Sequence, residues 1–427
     1  MEADGRSISS WISLTLDLPP SCIEFCPASP DHFVVGTYNL QKEEASDATV
    51  SADEDADEQQ LARKQAQSRN GSLAVFRLHK RFGLTMIEII PYPSAILDLH
   101  FHPHRGNGEV FAVVSSTGTL SFFKVYGNDF NPLREIVTHK PLDMDEGVLF
   151  LSCAWHPSIP DLLAITTSNH EVHILRVDEA WNVSKAHAAP VITHTLEAWT
   201  VAFSPFLTQP SRNEADPQQG EQGGPQSFMI FSGGDDSKLL QTSCEYGPVR
   251  NDEDDEIIQT PWPTVSIRGH EAGVTAILPL NLKLADGSDL VVTGSYDDHI
   301  RVFSIPSQEG GIGLQKPRIV AEENLGGGVW RLKLVKLEEI EKEGTSDEAQ
   351  RWRALVLASC MHAGSRVLEI SGDYAGVCEV KVMGHFEEHK SMNYASDFLP
   401  GTELGGQILH CVSTSFYDKL LCIWKYE

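Results

Sequence analysis

The sequence predicts an all-β chain folded as a seven-bladed β-propeller that is closed by an N-terminal strand. Runs of roughly five to eight β-branched and aromatic residues recur between turn residues, with almost no helical periodicity. These runs group in fours along the chain, except that the last group has only three. The run SWISLTL near the N-terminus can supply the missing strand. Such a closed ring of blades leaves only short, protected sheet edges.

The first three units each contain four runs bounded by Gly, Pro, Asn, Asp or Ser, residues that favour turns. Their runs are SCIEFCP, HFVVGTYNL, GSLAVFRLH and TMIEIIPYP; then AILDLHFHP, EVFAVVSS, TLSFFKVY and LREIVTH; then LSCAWHPS, DLLAITTS, EVHILRV and PVITHTLEA. Each run is predicted as one strand, so each unit is predicted as one blade.

The next three units repeat the pattern, and the seventh is one strand short. Their runs are TVAFSPF, FMIFSGG, SKLLQTS and TVSIRG; VTAILPLN, DLVVTGS, HIRVFSI and RIVAEENL; VWRLKLVKL, ALVLASC, GSRVLEI and CEVKVMG; and finally MNYASDFL, ILHCVSTS and LLCIWKY. We therefore expect a single domain over 1–427, with the closing strand at 9–16.

One unit carries a recognisable repeat signature. GHEAGVTAI at 269–277 followed by TGSYDDHIRVF from Thr293 resembles a WD repeat, with Phe303 where Trp is usual. The ending IWKYE resembles the close of such a repeat as well. The other units are weak individually but agree together, so the resemblance to WD-repeat propellers covers almost the whole chain.

Four polar or acidic segments interrupt the strand pattern, at 41–70, 207–226, 245–259 and 339–350. In WD-repeat propellers, the loops from the second to the third strand and from the fourth strand to the next blade lie on one face, called here the top face. The first segment would rise over the top face, and the other three would lie on the bottom face. Their composition predicts mobile insertions.

Composition excludes several classes of partner. The chain has 33 Lys and Arg against 60 Asp and Glu, for a formal charge of −27. Without a basic surface, neither nucleic acid nor an anionic membrane is an expected partner. No signal-like or membrane-spanning apolar run is present. We expect a cytoplasmic monomer.

Cysteine and catalytic motifs point to no cofactor. The eight cysteines form neither a dense disulfide framework nor a CxxC pair for zinc, so reduced core thiols are expected. No GxSxG, HExxH or P-loop motif occurs. The histidines of LHFHPH, from Leu99 to His104, alternate along a strand, but they occupy the strand end filled elsewhere by WHPS and FSPF. A structural role is predicted for them rather than a metal site.

Unusual polar and aromatic residues converge on the top face of the fourth to seventh blades. One set lies in turns between second and third strands: Asp235, Asp236, Tyr296, Asp297, Met361, His362, Tyr417 and Asp418. The other lies in loops that lead into a blade: Glu197, Trp199, His270, 326–331 and 391–397. Such a group of rings and polar side chains around one mouth predicts a ligand pocket.

Several of these residues also have structural explanations. The turn Asp of a WD repeat usually bonds the His of the preceding loop, so a structural role is an alternative explanation for Asp236, Asp297, Asp418 and His270. The glycines of GGGVWR could serve a tight turn or allow something to approach the backbone closely. His362 is different, because a histidine cannot replace the two acceptor oxygens of the turn aspartate.

Several separate loops together resemble the WD-repeat diphthine methyl ester hydrolase family, also called the diphthine methyltransferase family. The segments that carry the resemblance are SAILDLHF, EAW, SGGDD, GSYDDHI, GGVWR, CMHAG, NYASDF and SFYDKLLCIW, spread from the second unit to the C-terminus. The resemblance implies a role in diphthamide biosynthesis. The implied reaction removes a methyl ester from methylated diphthine on a histidine of translation elongation factor 2.

That substrate would suit the predicted pocket, because aromatic faces recognise quaternary ammonium groups. The candidate rings are Trp199, Tyr296, Trp330, Tyr394 and Tyr417. The candidate carboxylates beside them are Glu197, Asp235, Asp297 and Asp418. No cofactor or metal is expected.

Ester hydrolysis needs a base, a nucleophile and a donor to the developing oxyanion. His362 is the candidate base, oriented by Asp397 or Asp235. It would activate water, Ser391 or Cys360.

Arg331, or the N–H groups of 326–328, would hold the oxyanion. Two non-enzymatic alternatives stay open: a propeller that docks the elongation factor for other enzymes, and a scaffold in an unrelated complex.

Overall fold

The computed structural model describes residues 5–40, 69–79, 83–207, 226–247, 257–306, 316–340, 350–401 and 408–427. Within these ranges the chain is all-β, with no helix. The predicted insertions lie mostly outside them, so their mobility stays a prediction. Their borders are strand rather than loop: Arg69–Leu78 begins at the end of the first insertion, and Arg331–Ile340 runs into the last.

The N-terminal strands and the first three blades have the following bounds. They are β1 (Arg6–Ile8) and β2 (Ser10–Thr15); β3 (Pro20–Phe25), β4 (His32–Thr37), β5 (Asn39–Leu40), β6 (Arg69–Leu78) and β7 (Leu84–Tyr92); β8 (Ile96–Phe101), β9 (Val110–Ser115), β10 (Leu120–Val125) and β11 (Leu133–His139); and β12 (Phe150–Trp155), β13 (Leu162–Thr167), β14 (Glu171–Val177), β15 (Val183–Lys185) and β16 (Ile192–Thr193).

The remaining four blades follow the same order. They are β17 (Ala198–Phe203), β18 (Gln226–Gly234), β19 (Leu239–Tyr246), β20 (Ile258–Gln259) and β21 (Val265–Ile267); β22 (Val274–Lys283), β23 (Asp289–Ser295), β24 (His299–Ile305) and β25 (Arg318–Asn324); β26 (Arg331–Ile340), β27 (Arg351–Ser359), β28 (Ser365–Asp373) and β29 (Cys378–Phe386); and β30 (Ala395–Phe398), β31 (Leu409–Thr414) and β32 (Leu420–Tyr426).

Each blade is an antiparallel sheet whose first strand lines the centre of the ring. The seven inner strands, β3, β8, β12, β17, β22, β26 and β30, contact their neighbours all the way round, including β30 with β3. This arrangement confirms the predicted seven-bladed propeller. In the third and fourth blades the outer edge is formed by two short strands, and β19 pairs with β20 within the segment predicted as an insertion at 245–259.

Two N-terminal strands hold the ring closed. The predicted closing strand is confirmed: β2 pairs antiparallel with β32, from Ser10 opposite Trp424 to Thr15 opposite Leu420. The sequence did not predict β1, which adds a parallel fifth strand to the sixth blade by pairing with β29. The first strands of the chain therefore join the last two blades.

The hydrophobic core consists of seven clusters, one at each interface between neighbouring blades. The cluster between the seventh and first blades contains Val412 and Ile423 from one side and Phe33 and Phe76 from the other. Because burial of apolar area is the main stabilising term, every blade depends on both of its neighbours.

The cysteines are all free thiols, and only Cys378 is not fully buried. This agrees with reduced core thiols. No helix in the described parts of the chain has the length and apolarity needed to cross a bilayer.

Candidate functional site

A cavity of about 480 Å³ occupies the centre of the ring. It is lined by residues of the inner strands, with Trp199 and Trp330 where those strands begin and Pro157 and Pro205 beyond where they end. Inner strands run from the top face to the bottom face, so the two tryptophans mark the top mouth. The volume lies in the range of small-molecule sites.

Four rings form one contiguous group at this mouth, called here the mouth cluster: Trp199, Tyr296, Trp330 and Tyr394. Trp330 is at its centre, with ring centroids 5.7 Å from Trp199, 5.8 Å from Tyr296 and 4.9 Å from Tyr394. Trp199 is the extra residue of a β-bulge in β17, and bulges change the direction of a side chain relative to the sheet. The structure thus brings together four of the five rings proposed from the sequence.

A carboxylate borders the mouth cluster. Asp235 Oδ1 accepts a hydrogen bond of 3.1 Å from the indole Nε1 of Trp199. The backbone N–H of Asp235 donates to the carbonyl oxygen of Glu197 at 2.9 Å, which ties the turn to the strand. Burial, with Tyr394 and Asp235 nearby, raises the pKa of Tyr296 above its ordinary range. The tyrosine stays neutral at physiological pH, and the carboxylate is the charged group beside the rings.

Further rings continue from the mouth cluster across the top of the seventh and first blades. Phe416 lies 5.5 Å from Tyr394, 5.1 Å from Tyr417 and 5.9 Å from Tyr38, between ring centroids. Tyr417 is 69% exposed and contacts the ring of Phe416, so it lies at the outer end of this row. No pattern in the sequence pointed to Phe416 or Tyr38 as part of this row.

Below the mouth, charged side chains from opposite sides of the ring form ion pairs. Arg331 Nη1 donates to Asp98 Oδ1 at 2.8 Å. His100 Nε2 lies 3.3 Å from Asp98 Oδ2, and His100 Nδ1 lies 3.0 Å from Glu24 Oε2. Lys333 Nζ completes the connection with Glu24 Oε1 at 3.3 Å. We call these five residues the channel charges.

The network ends in the seventh blade. Lys333 Nζ also donates to Asp397 Oδ2 at 2.8 Å, and the backbone N–H of Phe25 donates to the same oxygen at 2.8 Å. Strand alternation explains the arrangement, since residues i and i+2 of a strand share one face. Asp98 and His100 are such a pair on β8, as are Arg331 and Lys333 on β26.

These contacts keep the network charged. Burial lowers the pKa of His100, but the carboxylates of Asp98 and Glu24 outweigh it and raise the pKa to about 9. Burial raises the pKa of Glu24, but Lys333 and His100 bring it down to about 2. Burial likewise opposes ionisation of Asp98, yet Arg331 and His100 hold the pKa of that carboxyl below its ordinary range. His100 is therefore a cation at neutral pH.

Comparison with known proteins gives one consistent name. The chain is 28% identical to a diphthine methyltransferase of Schizosaccharomyces pombe, over 96% of this chain and 95% of that protein. It is 25% identical to a diphthine methyltransferase homolog of Dictyostelium discoideum, over 96% and 97%. The corresponding protein of Saccharomyces cerevisiae is 23% identical, over 95% of each chain. The chain is a homologue of the proteins named diphthine methyltransferase.

Family models and solved structures were compared with the chain as well. No family model matches the chain. The crystal structure of Sqt1 from Chaetomium thermophilum, a WD-repeat protein, matches with a TM-score of 0.50 and 14% identity over 96% of this chain and 82% of that chain. The similarity to Sqt1 supports the propeller fold alone.

In this diphthine methyltransferase homologue, His362 lies in an exposed turn of the sixth blade. The preceding residue, Met361, has a φ of +35°, which is unusual for a residue other than glycine. Asp397 is bonded to Lys333 and Asp235 to Trp199, and among the described residues neither is hydrogen-bonded to His362. The expectation that one of them orients His362 is therefore not met, because both carboxylates are engaged elsewhere.

The two side-chain nucleophiles proposed from the sequence have structural surroundings. Ser391 Oγ donates to Asp418 Oδ1 at 2.6 Å and accepts from the backbone N–H of Tyr417. Cys360 is fully buried, which raises the pKa of its thiol to about 12. Neither group is hydrogen-bonded to His362 in the described residues.

The three glycines before Trp330 are explained by the chain itself. Gly326 has a φ of +81°. A Cβ on Gly327 would lie 2.6 Å from the carbonyl oxygen of Cys360, and one on Gly328 would lie 2.7 Å from Met361 Sδ. The sequence suggested that something approaches the backbone of these glycines closely. In the structure, it is the turn that carries His362, which packs directly against the loop 326–330.

The turn aspartates are structural, each with a different partner. Asp236 Oδ1 lies 2.9 Å from His194 Nδ1. Asp297 accepts 3.0 Å and 2.8 Å bonds from Arg301 rather than bonding His270, because the guanidinium lies between them. Asp297 is thus bonded to Arg301 and Asp418 to Ser391, whereas Asp235 is bonded to Trp199 of the mouth cluster.

The structural interpretation of the LHFHPH histidines stays a prediction for His100, whose two ring nitrogens face Asp98 and Glu24 in the channel charges. His102 does follow that interpretation, with its ring 4.6 Å from that of Trp155 and its Nε2 3.0 Å from the carbonyl oxygen of Pro160. No group of three metal-binding side chains occurs in the described ranges. The missed signal was the spacing of polar residues at i and i+2 within apolar inner strands.

Proposed function

We propose that this chain acts in diphthamide biosynthesis as a carboxylic ester hydrolase that removes the methyl ester from methylated diphthine on translation elongation factor 2. One observation carries the proposal: the mouth cluster is bordered by Asp235 at the top of a cavity lined by charged groups. The names of the homologues, which refer to diphthine, support the same substrate.

Recognition of the modified side chain would depend on its trimethylammonium group. A quaternary ammonium ion over an aromatic face gains about 0.5–2 kcal/mol per favourable ring. The mouth cluster offers four rings within contact of one another, and the Asp235 carboxylate adds opposite charge. The proposed site therefore holds the cation at the mouth and directs the rest of the side chain into the cavity.

Hydrolysis would proceed by addition of water to the ester carbonyl. The water oxygen forms a bond to the acyl carbon, the bond from that carbon to the methoxy oxygen breaks, and methanol leaves with a proton. Arg331, which lines the cavity directly below Trp330, can stabilise the negative charge that develops on the carbonyl oxygen. His362 remains the candidate base, since its turn packs against the glycines that precede Trp330.

The homologues' names describe methyl transfer, whereas the proposal is hydrolysis. The two reactions are separated by the fate of the methyl group. Purified protein incubated with elongation factor 2 bearing methylated diphthine, with no methyl donor or acceptor added, should yield a modified peptide lighter by one CH2 unit, together with methanol. Unchanged mass with intact binding would instead leave a docking role for the same face.

The role of His362 is tested separately in the same assay. His362→Ala should lower the rate by about 100-fold, the usual size of a general-base contribution at its lower end. His79→Ala, an exposed histidine in the turn between β6 and β7, is the matched control and should retain full activity. Full activity of His362→Ala would remove that residue from the mechanism.

A further inference from the structure

The channel charges are arranged unevenly around the cavity. Five charged side chains line it: Glu24, Asp98, His100, Arg331 and Lys333. The three cationic side chains are 32%, 20% and 30% exposed for His100, Arg331 and Lys333. The carboxylates are more buried, at 16% for Glu24 and 2% for Asp98. The cations are therefore the more exposed members of a network that is balanced in charge once Asp397 is included, and the protein as a whole carries a charge of −27.

Two of the cations, Arg331 and Lys333, also have unused hydrogen-bonding capacity, whereas both ring nitrogens of His100 already face carboxylates. A guanidinium has five N–H donors, and in the described part of the chain only Nη1 of Arg331 donates to a protein acceptor, Asp98. The Asp98 carboxylate is fixed by two further hydrogen bonds, which it accepts from Ser152 Oγ at 2.8 Å and from the backbone N–H of Leu99 at 3.0 Å. Arg331 is thus fixed by one nitrogen, with other donors left for a ligand in the cavity.

We propose that the cavity is an anion subsite in which Arg331 and Lys333 bind the carboxylate of a ligand whose trimethylammonium group lies in the mouth cluster. The ligand class is a trimethylammonium carboxylic acid. The trimethylammonium half of this assignment rests on the proposed function, whereas the carboxylate half rests on the channel charges.

The subsite has a consequence for the reaction. The methyl ester is neutral at its acyl end and the hydrolysed product is anionic there, so the cavity binds the product more tightly than the substrate. Long-range attraction between the protein and the anionic product cannot produce this preference, because the negative net charge of the protein repels anions. The acid should therefore inhibit its own formation.

Three probes separate the two halves of the site: γ-butyrobetaine, its methyl ester, and tetramethylammonium. Titration of the full chain by calorimetry should show that the acid binds at least about tenfold more tightly than the ester, a difference of about 1.4 kcal/mol. Arg331→Met should abolish that preference and leave tetramethylammonium binding unchanged. Equal affinities of the wild-type protein for acid and ester would overturn the subsite.

Two further variants control for loss of folding and for the removal of an arginine elsewhere in the blade. Arg331→Met leaves Asp98 buried without its partner, which can unfold the protein, so Arg331→Met combined with Asp98→Asn removes both charges and should also lose the preference. Arg353→Met is the matched control, because Arg353 lies in the same blade and pairs with Glu338 at 2.9 Å on the outside. A preference for the acid that survives in the double variant would contradict the proposal.

The same preparations distinguish this proposal from the proposed function. Hydrolysis of methylated diphthine without any preference for the acid would overturn the subsite and leave the hydrolase. A preference for the acid that depends on Arg331, in a protein that does not hydrolyse the ester, would leave the subsite and overturn the hydrolase.

Discussion

At the scale of single residues, the site depends on side chains whose neighbours fix their charge. His100 contacts two carboxylates, Asp98 and Glu24, and becomes a cation. His156, which follows the inner strand β12, is fully buried between Phe203 and Phe228 of the fourth blade, and burial lowers its pKa to about 4. At pH 7, His100 is therefore charged and His156 neutral, and the difference follows from their surroundings and not from their residue type.

The charge of His100 predicts a pH dependence of stability. Its pKa is about 9 in the folded protein against an ordinary value of 6.5, so the folded state binds the proton more tightly and the contribution is fully present below pH 6.5. The contribution is lost as pH rises towards 9. The difference in melting temperature between wild type and His100→Gln should be largest near pH 6 and smallest near pH 9.5. A difference that does not change with pH would contradict the ion pairs.

At the scale of strands and blades, the inner strands position the chemistry and the outer strands complete the ring. β8 and β26 contribute two channel charges each, while β17 contributes Trp199 through its bulge. The outer position of the seventh blade is occupied by β2, and that of the sixth by β1. The N-terminus thus holds the last two blades, whose inner strands carry Arg331, Lys333 and Asp397.

Two N-terminal deletions should have different effects. Removing residues 1–8 eliminates β1 but keeps the closing pair of β2 and β32. Removing 1–16 also leaves the β32 edge unpaired, and unpaired edges favour aggregation. We expect the longer deletion to melt roughly 5–10 °C below the shorter one and to elute partly as aggregate in size-exclusion chromatography. Equal melting temperatures would show that β2 does not close the ring.

At the scale of the whole molecule, a strongly negative net charge contrasts with a cavity whose most exposed charged side chains are cations. The excess of 27 negative charges acts on any charged partner over the Debye length, which the ionic strength determines. Segment 43–60 alone contains eight carboxylates, at positions 43, 44, 47, 53, 54, 55, 57 and 58. Such a charge distribution would attract a basic surface on the proposed protein substrate while the mouth cluster selects the modified side chain.

Association with elongation factor 2 should therefore slow as salt increases. Stopped-flow measurements between about 50 mM and 500 mM salt should show a falling association rate, because screening shortens the range of the attraction. Deleting 43–60 should reduce the slope of this dependence. An unchanged slope would show that this segment does not contribute to steering.

The sequence by itself determined the strand order, the seven units, the closing strand and the positions of Trp199, Tyr296, Trp330 and Tyr394 near one mouth. These features follow from local patterns, since a period of two predicts strands and the repeat order fixes which loops share a face. Only the tertiary structure decided which polar residues meet in the channel. Glu24 and Lys333 are 309 positions apart, and pairing over such a distance depends on ring closure, which no local pattern records. The same long-range packing left His362 exposed and gave Asp397 to Lys333.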